Sequence, residues 1–296
     1  MTRRIQPREG LIVANISHRG NVRRNNEDSY GYFEHPDEGE FAARGRLAVV
    51  ADGMGGQAAG EVASCMAIRC IRTAYYGALF GGQRPEAALE EAIQQANALI
   101  AKEADRDESK AGMGTTVTAV LVCGERAWVA HVGDSRAYLM RRWVLRQVTE
   151  DHSRVWELVR SGFIGTDAVK THPFASAIYR SLGVAHEVEV DVTGPIALEP
   201  NDRFLICSDG LTDMVNDEAI AEVLGTQAPP SACKTLVELA REHGGKDNIT
   251  VQILAVPAEN GKLGPRPETA QEGSRRRPTQ DTGLRSLVRR LVRGAP

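Results

Sequence analysis

The chain has 296 residues, 42% of them hydrophobic and 25% charged, with a formal net charge of −3, which allows one large core or two ordinary ones and excludes a wholly basic nucleic-acid binder. No apolar run approaches the roughly 20 residues of a membrane span, and the N-terminus lacks the apolar stretch of a signal peptide. The five cysteines (Cys65, Cys70, Cys123, Cys207 and Cys233) form no C-x-x-C pair and most lie in apolar stretches, so reduced core thiols and a cytoplasmic location are expected.

In chain order, residues 11–17, 28–34 and 46–51 read as strands. Just before the second strand lies Arg23-Arg24-Asn25-Asn26-Glu27-Asp28, a guanidinium ahead of an acidic pair; arginine can grip phosphate oxygens with two parallel donors. The third strand runs into Asp52, which opens Asp-Gly-Met-Gly-Gly. Residues 57–76 and 85–105 read as two helices, the first with Val62, Met66, Ile68 and Ile71, the second with Ala88, Leu89, Ile93, Ala96 and Leu99 near helical spacing. A meander follows over 115–122, 127–132, 137–140 and 144–148, with Asp134 in the turn Val132-Gly133-Asp134-Ser135-Arg136. Strands after helices, without βαβ alternation, predict antiparallel sheets rather than a doubly wound fold. Between 151 and 178 the period changes: Val155, Leu158 and Val159 suit a short helix, and Gly162 and Gly165 follow. Such an insert reads equally as a mobile element shaping access to a cleft or as a plain connector. The apolar run 204–208 ends at Asp209, and Asp247 precedes the run 249–256.

Any one of these aspartates alone is most simply the start of a turn, since Asp-Gly is common turn chemistry. Together they are carboxylates at strand ends, flanked by glycines that let the backbone come close to a ligand. That pattern suits oxygen-coordinated hard cations such as Mg²⁺ or Mn²⁺, and with Arg23 it points to metal-assisted chemistry on a phosphate.

The segments 23–28, 49–56, 114–116, 132–136, 149–153, 180–183, 205–213 and 246–250 resemble, in order, the motifs of the PP2C (PPM) family of metal-dependent serine/threonine protein phosphatases, and its bacterial branch in particular. The resemblance covers most of residues 10–257. It implies an α+β fold, a four-layer αββα sandwich of two antiparallel sheets flanked by helices, with a small flap at about 151–178. It further implies that Asp52 bridges two Mn²⁺ or Mg²⁺ ions, that the Gly53 carbonyl is a further ligand, and that Asp209 and Asp247 complete the other ion's shell. Glu27 and Asp28 would hold metal-bound waters, Asp134 with Asp209 a third, weaker ion, and Arg23 the substrate phosphate. Two ions sharing a water can deprotonate it at neutral pH and offset charge on the phosphoryl group, so Asp52 and Arg23 are the expected catalytic residues. The runner-up is a phosphoprotein-binding regulatory module with chemistry lost; the presence of Asp52, Asp209 and Asp247 favours the enzyme.

Two positions depart from familiar relatives. Met54 stands where the eukaryotic branch has a histidine suspected as general acid, and methionine cannot donate a proton. His18 stands where many bacterial members have aspartate. His152, in Asp151-His152-Ser153, is a candidate acid by proximity in the family pattern, against the plainer reading of a histidine bonded to backbone.

After Val256 the composition changes. Residues 258–282 have linker composition, and Leu284, Leu287, Val288, Leu291 and Val292 then recur at helical spacing among arginines, an amphipathic basic helix over 283–294. Residues 258–296 hold nine Lys/Arg against four Asp/Glu, leaving a net charge of −8 for residues 1–257. The tail could meet an acidic protein, a partner's groove, an anionic membrane surface or its own domain, or stay disordered. Basic charge confined to a short segment without aromatics argues against nucleic acid. The expected partners are phosphoprotein substrates, among them a serine/threonine kinase and its targets, acting on a monomer.

Overall fold

The computed structural model describes residues 10–55, 59–77, 83–165, 168, 172–174 and 177–258. Two antiparallel sheets stack face to face. One holds β1 (Ile12–His18), β11 (Ile249–Ala255), β10 (Arg203–Cys207), β7 (Arg136–Arg141) and β8 (Val144–Gln147), in that order. The other holds β2 (Asp28–Glu34), β3 (Arg46–Met54), β5 (Val117–Cys123), β6 (Arg126–Val132) and β9 (Asp191–Ala197), with the two-residue β4 (Gly114–Thr115) on the end of β3.

The central strands read as unbroken apolar runs because both of their faces are covered. In β3, Leu47, Val49 and Ala51 face α2 (Ala59–Gly77) and α3 (Pro85–Arg106), while Ala48 and Val50 face the other sheet. In β10, Phe204 and Ile206 point between the sheets, and Leu205 and Cys207 point outward onto α6 (Asp217–Thr226) and α7 (Pro229–Glu242). Three apolar layers between four structural layers follow from that alternation, and the αββα sandwich is borne out. Alanines 59, 63 and 67 on the buried stripe of α2 let that helix lie close to β2 and β3.

Several boundaries move. β1 starts one residue later than the apolar pattern suggests, which carries His18 into the ladder opposite Ile249. The first long helix is described from Ala59, and residues 56–58 lie outside the described set. α1 (Glu38–Arg44), α6, α7 and β9 were not foreseen. Asp37 caps α1 by accepting the Glu40 amide at 3.0 Å. In the 151–178 segment a short helix, α4 (Arg154–Arg160), follows Ser153, and an isolated bridge between Ser153 and Ile178 closes the base of the segment. The linker from residue 259 onward and the basic helix expected over 283–294 lie outside the described residues.

Candidate metal centre

Hydrogen-bond register, not sequence proximity, gathers the acidic residues. Asp28 opens β2 and pairs with Asp52 near the end of β3. Asp209 follows β10, and Asp247 comes two residues before its neighbour β11. Asp134 sits in the connection from β6 to β7. Asp28 is buried, and Asp52, Asp134, Asp209 and Asp247 are half-buried.

Their charges collide. The Asp52 carboxyl is pushed well above the usual range by burial, then by the charges of Asp28, Asp209, Asp134 and Asp247. Asp209 is pushed up in the same way, by burial and then by Asp134, Asp213, Asp247 and Asp28. Burial raises Asp134 to about 7, with Asp151 and Asp213 adding to it. Asp28 rises to about 6 through burial, although hydroxyls of Thr250 (2.6 Å) and Ser208 (2.8 Å) donate to its Oδ2 and pull the other way. Burial also raises Glu27. Carboxylates that raise one another in this way are stabilised by cations placed among them.

The backbone of the site is packed with no side-chain room. An ideal Cβ on Gly53 would lie 2.1 Å from the Gly60 carbonyl oxygen and 2.6 Å from that of Glu27; one on Gly210 would lie 2.0 Å from the Asn248 carbonyl oxygen. Asp52 is held on both sides of its peptide: its N–H donates to Thr116 Oγ1 (3.0 Å), and its C=O accepts from Thr116 N–H (2.8 Å) and Thr115 Oγ1 (2.9 Å). Asn248 ties the 19–27 loop to β11, accepting the Glu27 amide at 2.7 Å and donating to the carbonyls of Arg19 (3.0 Å) and Asn25 (2.9 Å). Thr116, Ser208, Asn248 and Thr250 lie in or beside the recognised motifs, yet their supporting roles were not read from the sequence. Asp213, whose charge bears on both Asp134 and Asp209, was missed as well; its place four residues after Asp209, one helical turn on, was the available signal.

Do these residues suit divalent cations? Every candidate donor is oxygen, the choice of Mg²⁺ and Mn²⁺. The buried Oδ1 atoms of Asp28 and Asp209 have no hydrogen-bond partner among the described residues, which is costly unless something positive faces them. Among those residues no group of three or more Asp, Glu, His or Cys side chains stands close enough together to hold an ion by protein ligands alone. Open shells are usual for ions that keep several waters and take one or two carboxylates each, so the donor set fits.

Arg23 stands at the rim, 52% exposed, with Nη2 donating to Asp247 Oδ2 at 2.6 Å. His18 Nδ1 accepts the Gly20 amide at 3.0 Å, a local turn contact. His152 answers to the plainer reading. Its Nδ1 accepts the Gly133 amide (3.0 Å), and its Nε2 faces Asp191 Oδ2 (3.1 Å) and Arg180 Nη1 (3.2 Å). With both ring nitrogens engaged, it is positioned to brace the turn that carries Asp134.

Beside it, buried His131 has Nε2 toward the Glu150 carbonyl (3.1 Å) and Nδ1 toward Thr118 Oγ1 (2.9 Å). Burial, then His152, lowers its pKa to about 3. Between an ordinary value near 6.5 and 3, the unfolded chain binds a proton that the folded protein refuses, so as pH is lowered through that window this residue costs up to about 1.4 kcal/mol of stability per unit. Urea unfolding in EDTA should therefore show wild type losing about 1.6 kcal/mol more than His131→Asn between pH 6.5 and pH 5. Parallel losses in the two proteins would refute a neutral His131.

A sequence profile of the family described as Protein phosphatase 2C matches residues 20–243. The chain is 40% identical over 239 residues to the serine/threonine phosphatase stp of Listeria monocytogenes, covering 80% of this chain and 92% of that protein. It is 42% identical over 246 residues to the serine/threonine protein phosphatase PstP of Mycobacterium tuberculosis, covering 83% of this chain and 45% of PstP. Among solved structures, the M. tuberculosis PstP/Ppp phosphatase superposes with a TM-score of 0.74 at 40% identity, over 84% of this chain and 99% of that one. The PstP catalytic domain in complex with two manganese ions superposes with a TM-score of 0.71 at 37% identity, over 84% and 99%.

Proposed function

This chain belongs to the protein phosphatase 2C family and is a metal-dependent serine/threonine protein phosphatase with a binuclear manganese or magnesium centre, and we propose that the strand-end carboxylates hold that centre and serve bacterial kinase signalling. The observation that carries the residue assignment is the convergence of Asp28, Asp52, Asp134, Asp209 and Asp247, each raising another's pKa, beside an exposed arginine.

Asp52 would bridge the two ions with the Gly53 carbonyl as a further ligand, and Asp209 and Asp247 would be ligands that complete the coordination of the other ion. Glu27 and Asp28 would orient coordinated water, and Asp134 with Asp209 would take a weaker third ion. When bound, the ions supply a nucleophile at neutral pH and offset charge on the phosphoryl oxygens. Arg23 holds the phosphate in line, its planar fork matching two of the oxygens whose charge grows in the transition state. The hydrogen bonds to Thr115 and Thr116 keep the Asp52 backbone from moving as charge shifts. Met54 has no proton to give and both ring nitrogens of His152 are engaged, so the proton for the leaving oxygen comes from another group or from solvent.

Phosphate release from a phosphothreonine peptide in Mn²⁺, in EDTA and with Asp209→Ala tests the reading: activity should require metal and collapse in the variant. Equal turnover with and without EDTA would refute it. Arg23→Ala is expected to cut kcat/KM on the peptide by about 100-fold, Arg23→Lys by less, with Mn²⁺ affinity by calorimetry lowered in neither. A loss of metal affinity in Arg23→Ala would instead make Arg23 part of the metal site.

The catalytically inert binding module finds no support, since none of the three central aspartates is missing. The substrates we propose are a serine/threonine kinase and its targets, met by a monomer in the cytoplasm. Among the described residues no helix is long and apolar enough to cross a membrane. The basic tail would add a contact with an acidic protein or an anionic membrane surface. Deleting residues 258–296 should leave peptide turnover intact and change the protein's distribution between soluble and membrane fractions or its pull-down partners; no change in any of these would dismiss a targeting tail.

A further inference from the structure

Beside the carboxylates lies an apolar step that the metal chemistry does not use. Side chains two apart on a strand share a face, so Met54 stands on the same face of β3 as Asp52. The strand end shows it: Asp52 and Met54 are partly open and Gly53 between them is buried. Across the ladder Met54 pairs with Gly114. An ideal Cβ on Gly114 would lie 2.9 Å from the Leu182 carbonyl oxygen, 3.1 Å from Val184 Cγ2 and 3.4 Å from Met54 Cγ, so the two apolar side chains flank a glycine notch whose remaining side is backbone.

Val184 is 64% exposed, on a loop that is firmly held. Buried Asn97 of α3 donates to the carbonyls of Ala185 (2.9 Å) and His186 (3.0 Å) and accepts the Gly183 amide (2.8 Å). Leu182 exchanges hydrogen bonds with Thr115 in both directions (3.1 and 2.9 Å). The fold thus spends a fixed loop on holding an aliphatic side chain out to solvent at the edge of a strongly charged cleft, next to a methionine whose unbranched, polarizable chain adapts to varied apolar partners.

We propose that Met54 and Val184 form a specificity step that receives an aliphatic side chain of the phosphoprotein substrate, close in sequence to the phosphorylated residue. The inference rests on the phosphatase reading, which puts the phosphate at Asp52 and Arg23. Two residues of extended peptide span about 6.6 Å, the same two-residue step that separates Asp52 from Met54 along β3. A residue within two or three positions of the phosphothreonine therefore reaches the step. Contact of this size discriminates leucine from asparagine by about tenfold in kcat/KM.

The test uses the full chain in Mn²⁺ and a set of phosphothreonine peptides in an asparagine background, with a single leucine moved from three residues before the phosphothreonine to three after it. Wild type should favour leucine about tenfold at one position. Val184→Asp should bring that ratio close to one, and Val184→Ala should lower it partway; each ratio compares two peptides on one preparation and so is independent of the amount of active protein. A flat profile in wild type, or a leucine preference kept in both variants, overturns the step while leaving the phosphatase intact. No phosphate release by wild type from any peptide takes down the phosphatase reading, and the step with it.

Discussion

Replacing Asp52 by alanine is expected to lower metal-dependent phosphate release by at least about a thousandfold and, at the same time, to stabilise the metal-free protein. The first effect follows from the proposed role of Asp52 between the two ions: a centre that lost that carboxylate would lose both charge and geometry, and each factor of ten corresponds to about 1.4 kcal/mol of barrier. The second follows from burial and repulsion, which hold the Asp52 carboxyl well above its ordinary range. Its folded pKa lies above its unfolded one, so the folded protein holds a proton that the unfolded chain has lost, and without metal the contribution of Asp52 to stability rises as pH falls from 7 toward 5. Removing the carboxylate relieves that repulsion, so the melting temperature of the metal-free protein should rise and its pH dependence should flatten. Calorimetric melting with EDTA and with Mn²⁺ checks both halves: Mn²⁺ should raise the midpoint of wild type far more than that of Asp52→Ala. An equal Mn²⁺ response in the two proteins would falsify the assignment of Asp52 to the centre.

Gly53→Val is expected to be the most damaging single change in the strand that carries the site, with a stability loss of at least about 3 kcal/mol and no recovery on adding metal. An ideal Cβ at residue 53 would meet three backbone atoms, Gly60 O at 2.1 Å, Gly60 C at 2.5 Å and Glu27 O at 2.6 Å. None of these can swing aside as a side-chain tip would. The Gly53 amide also donates to that same Glu27 carbonyl at 3.2 Å. Admitting valine requires α2 to retreat from β3, which opens the contact made by Ala59, Ala63 and Ala67, and overpacking against backbone sits at the upper end of such penalties. Chemical denaturation reads the loss directly. A Gly53→Val protein with the wild-type midpoint would mean that α2 moves freely and that the glycine serves only metal access.

The chemistry was legible because it depends on residue types at ends of apolar runs. Asp52, Asp209 and Asp247 each announce themselves by an apolar strand beside them, and the glycines at 53 and 210 mark backbone that must come close to something. The fold class was legible for a similar reason, since continuous apolar runs without βαβ alternation call for sheets covered on both faces. Less visible were α1, α6 and α7, which lie in connections whose stretches carry no chemical motif, although Ala232, Cys233, Leu236, Val237 and Ala240 keep helical spacing. The half-exposed edge strand β9 also escaped, because its pattern is short and interrupted by Gly194 and Pro195.

By itself the sequence determined which groups are present and what they can do: oxygen ligands for hard cations, a guanidinium for phosphate, a methionine that cannot act as an acid. Only the tertiary structure decided how far each is driven from its ordinary state. Asp28 meets Asp52 through the register of β2 on β3, Asp209 nears Asp247 because β10 pairs with β11, and the stacked sheets then let Asp28 act on Asp209, far away along the chain. The same holds for His152, whose candidacy as an acid ends at the Gly133 amide, and for Val184, which meets Met54 only across the notch at Gly114. Local pattern encodes chemistry and element type because those depend on neighbours along the chain. Charge repulsion, burial and the shape of a cleft depend on neighbours in space, which strand register and helix packing alone supply.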